Sequence, residues 1–329
     1  MNANVVARHG RDNKLLVWQL RESDEADFSK ILPIEDTTSE RKQPWLLHSL
    51  DVNALNFCSF AMCQMPTPPS AESFSSPSPQ PPSEPSILIA VPGVQDGLIN
   101  ITALPSATRF ATIPPPKDTS TGMLMAVSLL HRSSTTNPSP LVAAGYESGH
   151  VALWHRKHDD STPKDDKWTL LYLQKPHSQP VLSLDMAPSL GCFLSSSADA
   201  IVAKHPLDGL SETKHLQTKH AGQQSLVVRP DGKIFATAGW DGRVRVYAAK
   251  GMRELAVLKW HKEGCFAAAF ADILDDGTAD ADALGESAGA VAGRGQTLTV
   301  SQQRLAKSKA THWLAAGSKD GRVSLWDIY

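Results

Sequence analysis

One unit recurs along this 329-residue chain, and it constrains the fold more than any other feature. Small apolar residues lead into a tight polar turn, usually Asp-Gly, and alternating apolar residues then end on an aromatic. At the carboxy end it reads Trp313-Leu-Ala-Ala-Gly317-Ser318-Lys-Asp320-Gly321-Arg-Val323-Ser-Leu325-Trp326. Other copies run from Ile234 to Tyr247 around Asp241-Gly242, from Leu141 to Trp154 around Ser148-Gly149, and from His9 to Trp18 around Asp12-Asn13. Two degenerate copies, Ile87 to Thr102 around Asp96-Gly97 and Cys192 to His205 around Asp199-Ala200, fill the gaps. Alternation on either side of a turn signals antiparallel strands, because successive side chains of a strand point to opposite faces. No stretch sustains helical spacing, so the chain reads as all-β.

The closing positions 18, 102, 154, 205, 247 and 326 are separated by 84, 52, 51, 42 and 79 residues. A WD40 blade takes about 40–45 residues, so the 42-residue interval is one bare blade and the longest two carry insertions. Residues 66–86 are a Pro/Ser tract that holds eight of the 23 prolines, and such a composition cannot pack a core. Residues 272–310 are rich in Asp, Gly and Ala without strand alternation and read as a second inserted loop. The expected layout is a single WD40 β-propeller domain over 1–329 with about five and a half blades. Residues 1–20 supply the second half of an incomplete blade. Blades follow at 45–104 (carrying 66–86), 105–155, 156–206 (degenerate), 207–248 and 249–329 (carrying 272–310), with 21–44 as a long loop.

Composition removes several functions. Lys+Arg is 32 against Asp+Glu 34, a net charge of −2 that does not suit a binder neutralising many phosphates. No secretory leader opens the chain and no apolar run approaches a membrane span, so a soluble intracellular protein is expected. Cys58, Cys63, Cys192 and Cys265 form no metal-ligand spacing and read as reduced, mostly buried thiols.

The residues that look chemical recur at repeat spacing, which argues for packing. A His before the first strand, a Ser/Thr, the turn Asp and the closing aromatic can share a buried hydrogen-bond network, since a buried indole N–H needs an acceptor. The last unit offers His261, Ser318, Asp320 and Trp326; the one before offers His220, Thr237, Asp241 and Tyr247. Asp12, Trp18, Asp96, Trp154 and Asp199 fall in the same structural class. A catalytic triad occurs once per site, whereas these sets repeat, so no catalytic residue is assigned. His155, His158 and Asp159-Asp160 read as an exposed loop rather than a metal site. Gly289 to Gly295 lacks the phosphate-loop spacing. No metal, cofactor, nucleic acid, membrane or small-molecule substrate is expected. The chain reads as a platform for proteins, with Trp45, Trp168 and Trp240 as candidate contact aromatics. Arg243, Arg245, Arg253 and Lys259 read as ordinary solvated charge.

The segment His9-Gly-Arg-Asp-Asn-Lys-Leu-Leu-Val-Trp18-Gln-Leu20, the stretch Leu50-Asp-Val-Asn-Ala-Leu-Asn-Phe57-Cys58 and the ending Ala315 to Trp326 resemble the ASTRA-associated protein 1 family of fungal WD-repeat proteins. Its animal counterpart is a G-protein β-subunit-like WD protein. The resemblance implies a seven-bladed fold and a non-catalytic nuclear scaffold of the ASTRA assembly, linked to chromatin remodelling and to maturation of phosphatidylinositol-3-kinase-like kinases. The partners it implies are Tel/Tti co-chaperone subunits, a Tra-type pseudokinase and RuvB-like ATPases. Family members carry about one and a half further blades before the HGRDNK segment, so an amino-terminally shortened chain is expected. The alternative functions are a ubiquitin-ligase substrate receptor and a histone-tail reader, both using the same fold.

Overall fold

Six antiparallel sheets follow one another along the chain in a computed structural model that describes residues 4–10, 12–21, 23–24, 44–53, 58–65, 87–132, 139–157, 167–273 and 299–328. The first sheet holds β1 (Asn4–His9), β2 (Lys14–Leu20) and β3 (Trp45–Asp51). The second holds β4 (Ala61–Gln64), β5 (Ile87–Pro92), β6 (Ile99–Leu104) and β7 (Thr108–Ile113). The third holds β8 (Leu124–Arg132), β9 (Ser139–Tyr146), β10 (Val151–Lys157) and β11 (Lys167–Gln174). The fourth holds β12 (Val181–Ala187), β13 (Cys192–Ser197), β14 (Ile201–Pro206) and β15 (Lys214–Gln217). These four belong to one compact unit, Met1–Lys219. A second unit, His220–Tyr329, holds the fifth sheet, β16 (Gln223–Val228), β17 (Ile234–Gly239), β18 (Arg243–Ala248) and β19 (Glu254–Lys259), and the sixth, β20 (Cys265–Phe270), β21 (Trp313–Ser318) and β22 (Val323–Asp327). Each sheet pairs its strands in chain order, which is the blade architecture of a WD40 β-propeller.

Sheet boundaries fall one strand later than the sequence units. Strand β3, read as the start of a 45–104 blade, pairs with β2 through Leu15–Leu50 and Val17–His48 and completes the first sheet instead. In the same way β7, β11, β15 and β19 close the sheets before the units 105–155, 156–206, 207–248 and 249–329 that contain them. Among the described residues the first sheet therefore has three strands. The 272–310 insertion also departs from a plain loop, because Val300–Ala310 form the helix α1. The 66–86 tract, residues 274–298 with Gly289 to Gly295, and His158 with Asp159-Asp160 lie outside the described residues.

Within each unit the cores lie between successive sheets, whose strands bury both faces. Leu15 and Val17 of the first sheet meet Ile89, Val91 and Leu104 of the second. The other face of the second, Leu88, Ala90, Ile99 and Ile101, packs on Leu124, Val127, Val142 and Ala144 of the third. In the second unit Val244 and Val246 of the fifth sheet pack on Cys265, Leu314 and Ala316 of the sixth. Each fully buried aliphatic chain contributes about 1.5–3 kcal/mol. Cys58, Cys192 and Cys265 are buried and Cys63 is half-buried, all as free thiols. The repeated turns carry a left-handed residue five positions before the closing residue: φ is +85° at Gly149, +76° at Gly242 and +75° at Gly321. At Gly149 a Cβ would also lie 2.2 Å from the His177 carbonyl oxygen, so only glycine fits there.

Candidate functional site: buried networks and an exposed aromatic surface

The repeat places four positions at fixed spacing in every sheet, and the side chains there decide what each blade can do. Relative to the closing residue they lie ten back on the middle strand, six back in the turn, and two back on the same strand.

The fourth sheet, read from sequence as degenerate, holds the longest hydrogen-bond network. The imidazole of His177, on the loop before β12, reaches Asp199 Oδ1 through Nδ1 at 3.3 Å and Ser195 Oγ through Nε2 at 2.8 Å. Ser195 Oγ also meets His205 Nε2 at 2.7 Å, and His205 Nδ1 meets the Tyr172 hydroxyl at 2.8 Å. Tyr172 continues to Thr213 Oγ1 at 2.6 Å. Burial, and then the positive charges of His177 and His215, push the His205 imidazole well below its ordinary range. It is therefore neutral, and one of its ring nitrogens donates while the other accepts. Burial alone would raise the Asp199 carboxyl, but His177 and the N–H groups of Ile201 and Ser178 donate to it and hold it below its usual range. Ser195, His177 and Asp199 have the connectivity of a hydrolytic triad. Yet Ser195 and His205 are fully enclosed, and the serine oxygen is engaged on both sides, so no substrate carbonyl can reach it. Sequence reasoning named Asp199 and missed His177, Ser195 and Tyr172. The signal for His177 was its place four residues before β12, where His261 stands before β20.

In the sixth sheet His261 Nδ1 lies 3.3 Å from Asp320 Oδ2, as expected, but the hydroxyl of the network is Ser324 rather than Ser318. The position ten back is Ala316, which has no polar atom to offer. Ser324, two back, takes its place: its Oγ accepts the Trp326 indole N–H at 2.9 Å and meets His261 Nε2 at 2.9 Å. Ser318 instead donates to the Glu263 carbonyl at 3.2 Å and accepts the Asp320 N–H.

The fifth sheet uses a different cation. Asp241 is held by Arg245, two back, through Nη2–Oδ2 at 2.6 Å and Nη1–Oδ1 at 3.2 Å. Burial opposes the Asp241 charge, but the Arg245 guanidinium, the Arg243 N–H and the charge of His220 together keep its carboxyl below the usual range. His220 itself is half-buried, its carbonyl accepting from Gln223 Nε2. Arg245 is 1% exposed, which corrects its reading as solvated charge; Arg243, Arg253 and Lys259 are exposed as expected. Thr237 is buried, and Tyr247 is buried and stacked on Phe235 at 4.9 Å, with its hydroxyl pushed up to about 12 by burial.

The remaining expected positions join no such network. Asp12 makes an exposed ion pair with Arg8, the residue ten back from a half-buried Trp18. Asp96 is exposed in its turn, and Trp154 is buried in the core between the second and third sheets. His155 lies in β10, not in a loop, and meets Ser139 Oγ through Nε2 at 2.6 Å. Among the described residues no group of three or more His, Cys, Asp and Glu is arranged to hold a metal ion.

What the networks leave outside is a surface. In the second unit the turn Trp240–Gly242 lies against the loop His261–Gly264, where a Cβ on Gly242 would meet the Glu263 and His261 carbonyls and one on Gly264 the Trp240 backbone. This close approach sets Trp240 and Trp260 on neighbouring loops with Phe266 at the start of β20, each about half exposed. The Arg322 guanidinium lies 6.0 Å from the Trp260 ring, and the Trp240 indole N–H donates to Gln224 Oε1 at 2.8 Å. Half-exposed aromatics on loops anchored by a buried scaffold are the usual anchors of protein interfaces. Of the aromatics picked from sequence, Trp240 belongs to this surface and Trp45 is exposed on β3, whereas Trp168 packs against the core. Trp260 and Phe266 were missed.

Comparison with known proteins agrees with the architecture. The WD domain, G-beta repeat family matches residues 212–248 and 298–327. The chain is 45% identical, over 98% of its length and 81% of the relative's, to ASTRA-associated protein 1 of Aspergillus flavus. To ASTRA-associated protein 1 of Penicillium rubens it is 46% identical over 99% of its length and 82% of the relative's. It is also similar to the mouse guanine nucleotide-binding protein subunit beta-like protein 1, at 33% identity over 74% of this chain and 60% of that one.

Proposed function

Because the chain belongs to the ASTRA-associated protein 1 family, we propose that it is a non-catalytic WD-repeat scaffold of the ASTRA complex. The observation that carries the reading is similarity over nearly the whole chain to proteins named for that association. The site chemistry supports it: the His/Ser/Asp sets are spent on internal hydrogen bonds, and what faces solvent is aromatic surface on loops. In this role the chain acts in the nucleus, in chromatin remodelling and in the assembly of phosphatidylinositol-3-kinase-like kinases. Its partners are Tel/Tti co-chaperone subunits, a Tra-type pseudokinase and RuvB-like ATPases.

The test is affinity purification of the tagged full chain from nuclear extract, followed by mass spectrometry. Tel/Tti and RuvB-like subunits are the expected recoveries, reduced at least fivefold by the paired substitution Trp240→Ala and Trp260→Ala. Recovery of cullin adaptors or of modified histone tails without any of those subunits would overturn the proposal in favour of a ligase receptor or a histone reader.

A further inference from the structure

The closing residue of the unit is aromatic in five sheets, as Trp18, Trp154, His205, Tyr247 and Trp326, and in the second sheet it is Thr102. A cavity of about 230 Å³ opens beside that threonine, lined by Leu50, Ile89, Val91, Asn100 and Thr102 between the first and second sheets. The sixth sheet shows what ordinarily fills such a place. There Trp326 packs, with Leu258 of β19, onto the core between the fifth and sixth sheets. The two neighbourhoods correspond residue by residue. Leu258 pairs with Val244 as Leu50 pairs with Leu15, each partner lying three residues past the turn Asp. Ser324, which accepts the Trp326 indole N–H, stands two residues before the closing position, where the second sheet has Asn100.

We propose that this cavity is a receptor slot for a tryptophan side chain of a partner protein, whose indole N–H is donated to Asn100 Oδ1. The slot has the two parts an indole needs: apolar walls from Leu50, Ile89 and Val91, and an acceptor at its polar side. Asn100 Oδ1 already accepts from Thr112 Oγ1 at 3.3 Å, and a carbonyl oxygen has a second lone pair to give. The lining also includes one charge of each sign, Asp51 and Arg109, so an isolated anion or cation gains from one what it loses to the other. A neutral ring with an N–H suits this lining, and a guanidinium at the wall favours indole over other rings. The inference needs the scaffold reading only for the occupant being a protein; the slot itself rests on the repeat geometry.

The probe is N-acetyl-L-tryptophanamide, titrated into the full chain and followed by two-dimensional NMR, with its 1-methylindole analogue and N-acetyl-L-leucinamide alongside. Expected are saturable shifts centred on Ile89, Asn100 and Thr102 with a Kd near ~1 mM, the range for a fragment of this size. The 1-methyl analogue, which lacks the donor, binds about fivefold more weakly, the worth of one hydrogen bond, and the leucine amide does not saturate. Thr102→Trp fills the slot from within: its Tm rises and the probe loses at least tenfold in affinity. Asn100→Leu keeps the walls, removes the acceptor and makes the two indoles bind equally, which tests the slot even should the Thr102 variant fold poorly. Three results overturn the proposal: no saturable shifts at the cavity, equal binding of the two indoles to the unsubstituted chain, or unchanged binding to a folded Thr102→Trp chain. None of these outcomes depends on which complex the chain joins.

Discussion

Replacing Ser195 with alanine tests whether the fourth sheet is held by its polar network. Alanine already occupies the same register position in the third and sixth sheets, as Ala144 and Ala316, so neither the strand nor the packing forbids it. What changes is the hydrogen bonding. The Ser195 hydroxyl serves two imidazoles, His177 Nε2 at 2.8 Å and His205 Nε2 at 2.7 Å, and both rings are buried. Loss of the hydroxyl strands both nitrogens away from water, at about 1–3 kcal/mol for each unsatisfied group. The removal of one oxygen leaves too small a space for a bridging water. The expected cost is therefore about 3 kcal/mol, whereas an ordinary Ser→Ala change on a half-buried strand costs under about 1 kcal/mol. Urea unfolding followed by tryptophan fluorescence measures it, with Ser195→Thr as the variant that keeps the hydroxyl and recovers part of the loss. A cost below about 1 kcal/mol for the alanine, or a threonine no better than the alanine, would refute the idea that this network holds the blade.

The buried ion pair of the fifth sheet predicts an asymmetry: Asp241→Asn leaves the enclosed guanidinium with only the more distant Glu254, 4.0 Å from Nε, and costs about 3 kcal/mol, toward the low end of the range for such pairs because Asp241 reaches solvent. Arg245→Met leaves only a half-solvated carboxylate and costs less; urea midpoints in the reverse order contradict the assignment. Acid sensitivity follows from His205. Its folded-state pKa lies below the unfolded value near 6.5, so the unfolded chain binds more protons and stability is lost as pH falls from about 6.5, at up to about 1.4 kcal/mol per pH unit. His9, His131 and His150 are shifted the same way by burial, and the turn aspartates act only at lower pH. Urea midpoints at pH 7.5 and 5.5 that coincide would contradict this. Gly149→Ala, at φ +85° and facing the His177 carbonyl, is expected to cost more than about 2 kcal/mol, read as a fall in Tm of several degrees; an unchanged Tm would show that the turn relaxes.

Spacing made the strands, turns and closing aromatics legible, because alternation and left-handed turn residues are local properties of the chain. Pairing is not local, and that is where the reading slipped. Nothing in the sequence of Trp45–Asp51 says that it pairs backwards with β2 instead of forwards with β4, since either neighbour would accept its alternation. The helix Val300–Ala310 was missed for a related reason: few of its residues are apolar, and it carries no amphipathic stripe to give helical periodicity. Arg245 looked solvated because arginines flank it at 243 and 253, and burial of one face of a strand is decided by what covers that face.

The buried networks show which part of a site a repeat can transmit. In the fourth, fifth and sixth sheets the turn carboxylate does the same local work: Asp199, Asp241 and Asp320 each accept, through Oδ1, the N–H two residues on. That bond needs only an aspartate at one place in a tight turn, so it is written within a few residues. The side-chain partner comes from elsewhere and changes with the sheet: His177 joins Asp199 at Oδ1 while the Ser178 N–H takes Oδ2, Arg245 on the strand itself takes Asp241 Oδ2, and His261 on the preceding loop takes Asp320 Oδ2. A half-enclosed carboxylate requires a donor of positive character but not a particular residue, so several positions can meet the need. The aspartates were therefore predictable and their partners were not. The same freedom explains why Ser324 replaces a hydroxyl that Ala316 cannot provide. In the second sheet neither need is met: Asp96 is exposed, Pro92 stands in place of the hydroxyl residue and Thr102 in place of the ring. Loss of the network alone leaves no gap, since Trp154 fills its place in the third sheet without one; the gap beside the second sheet comes from the threonine that stands where a ring would be.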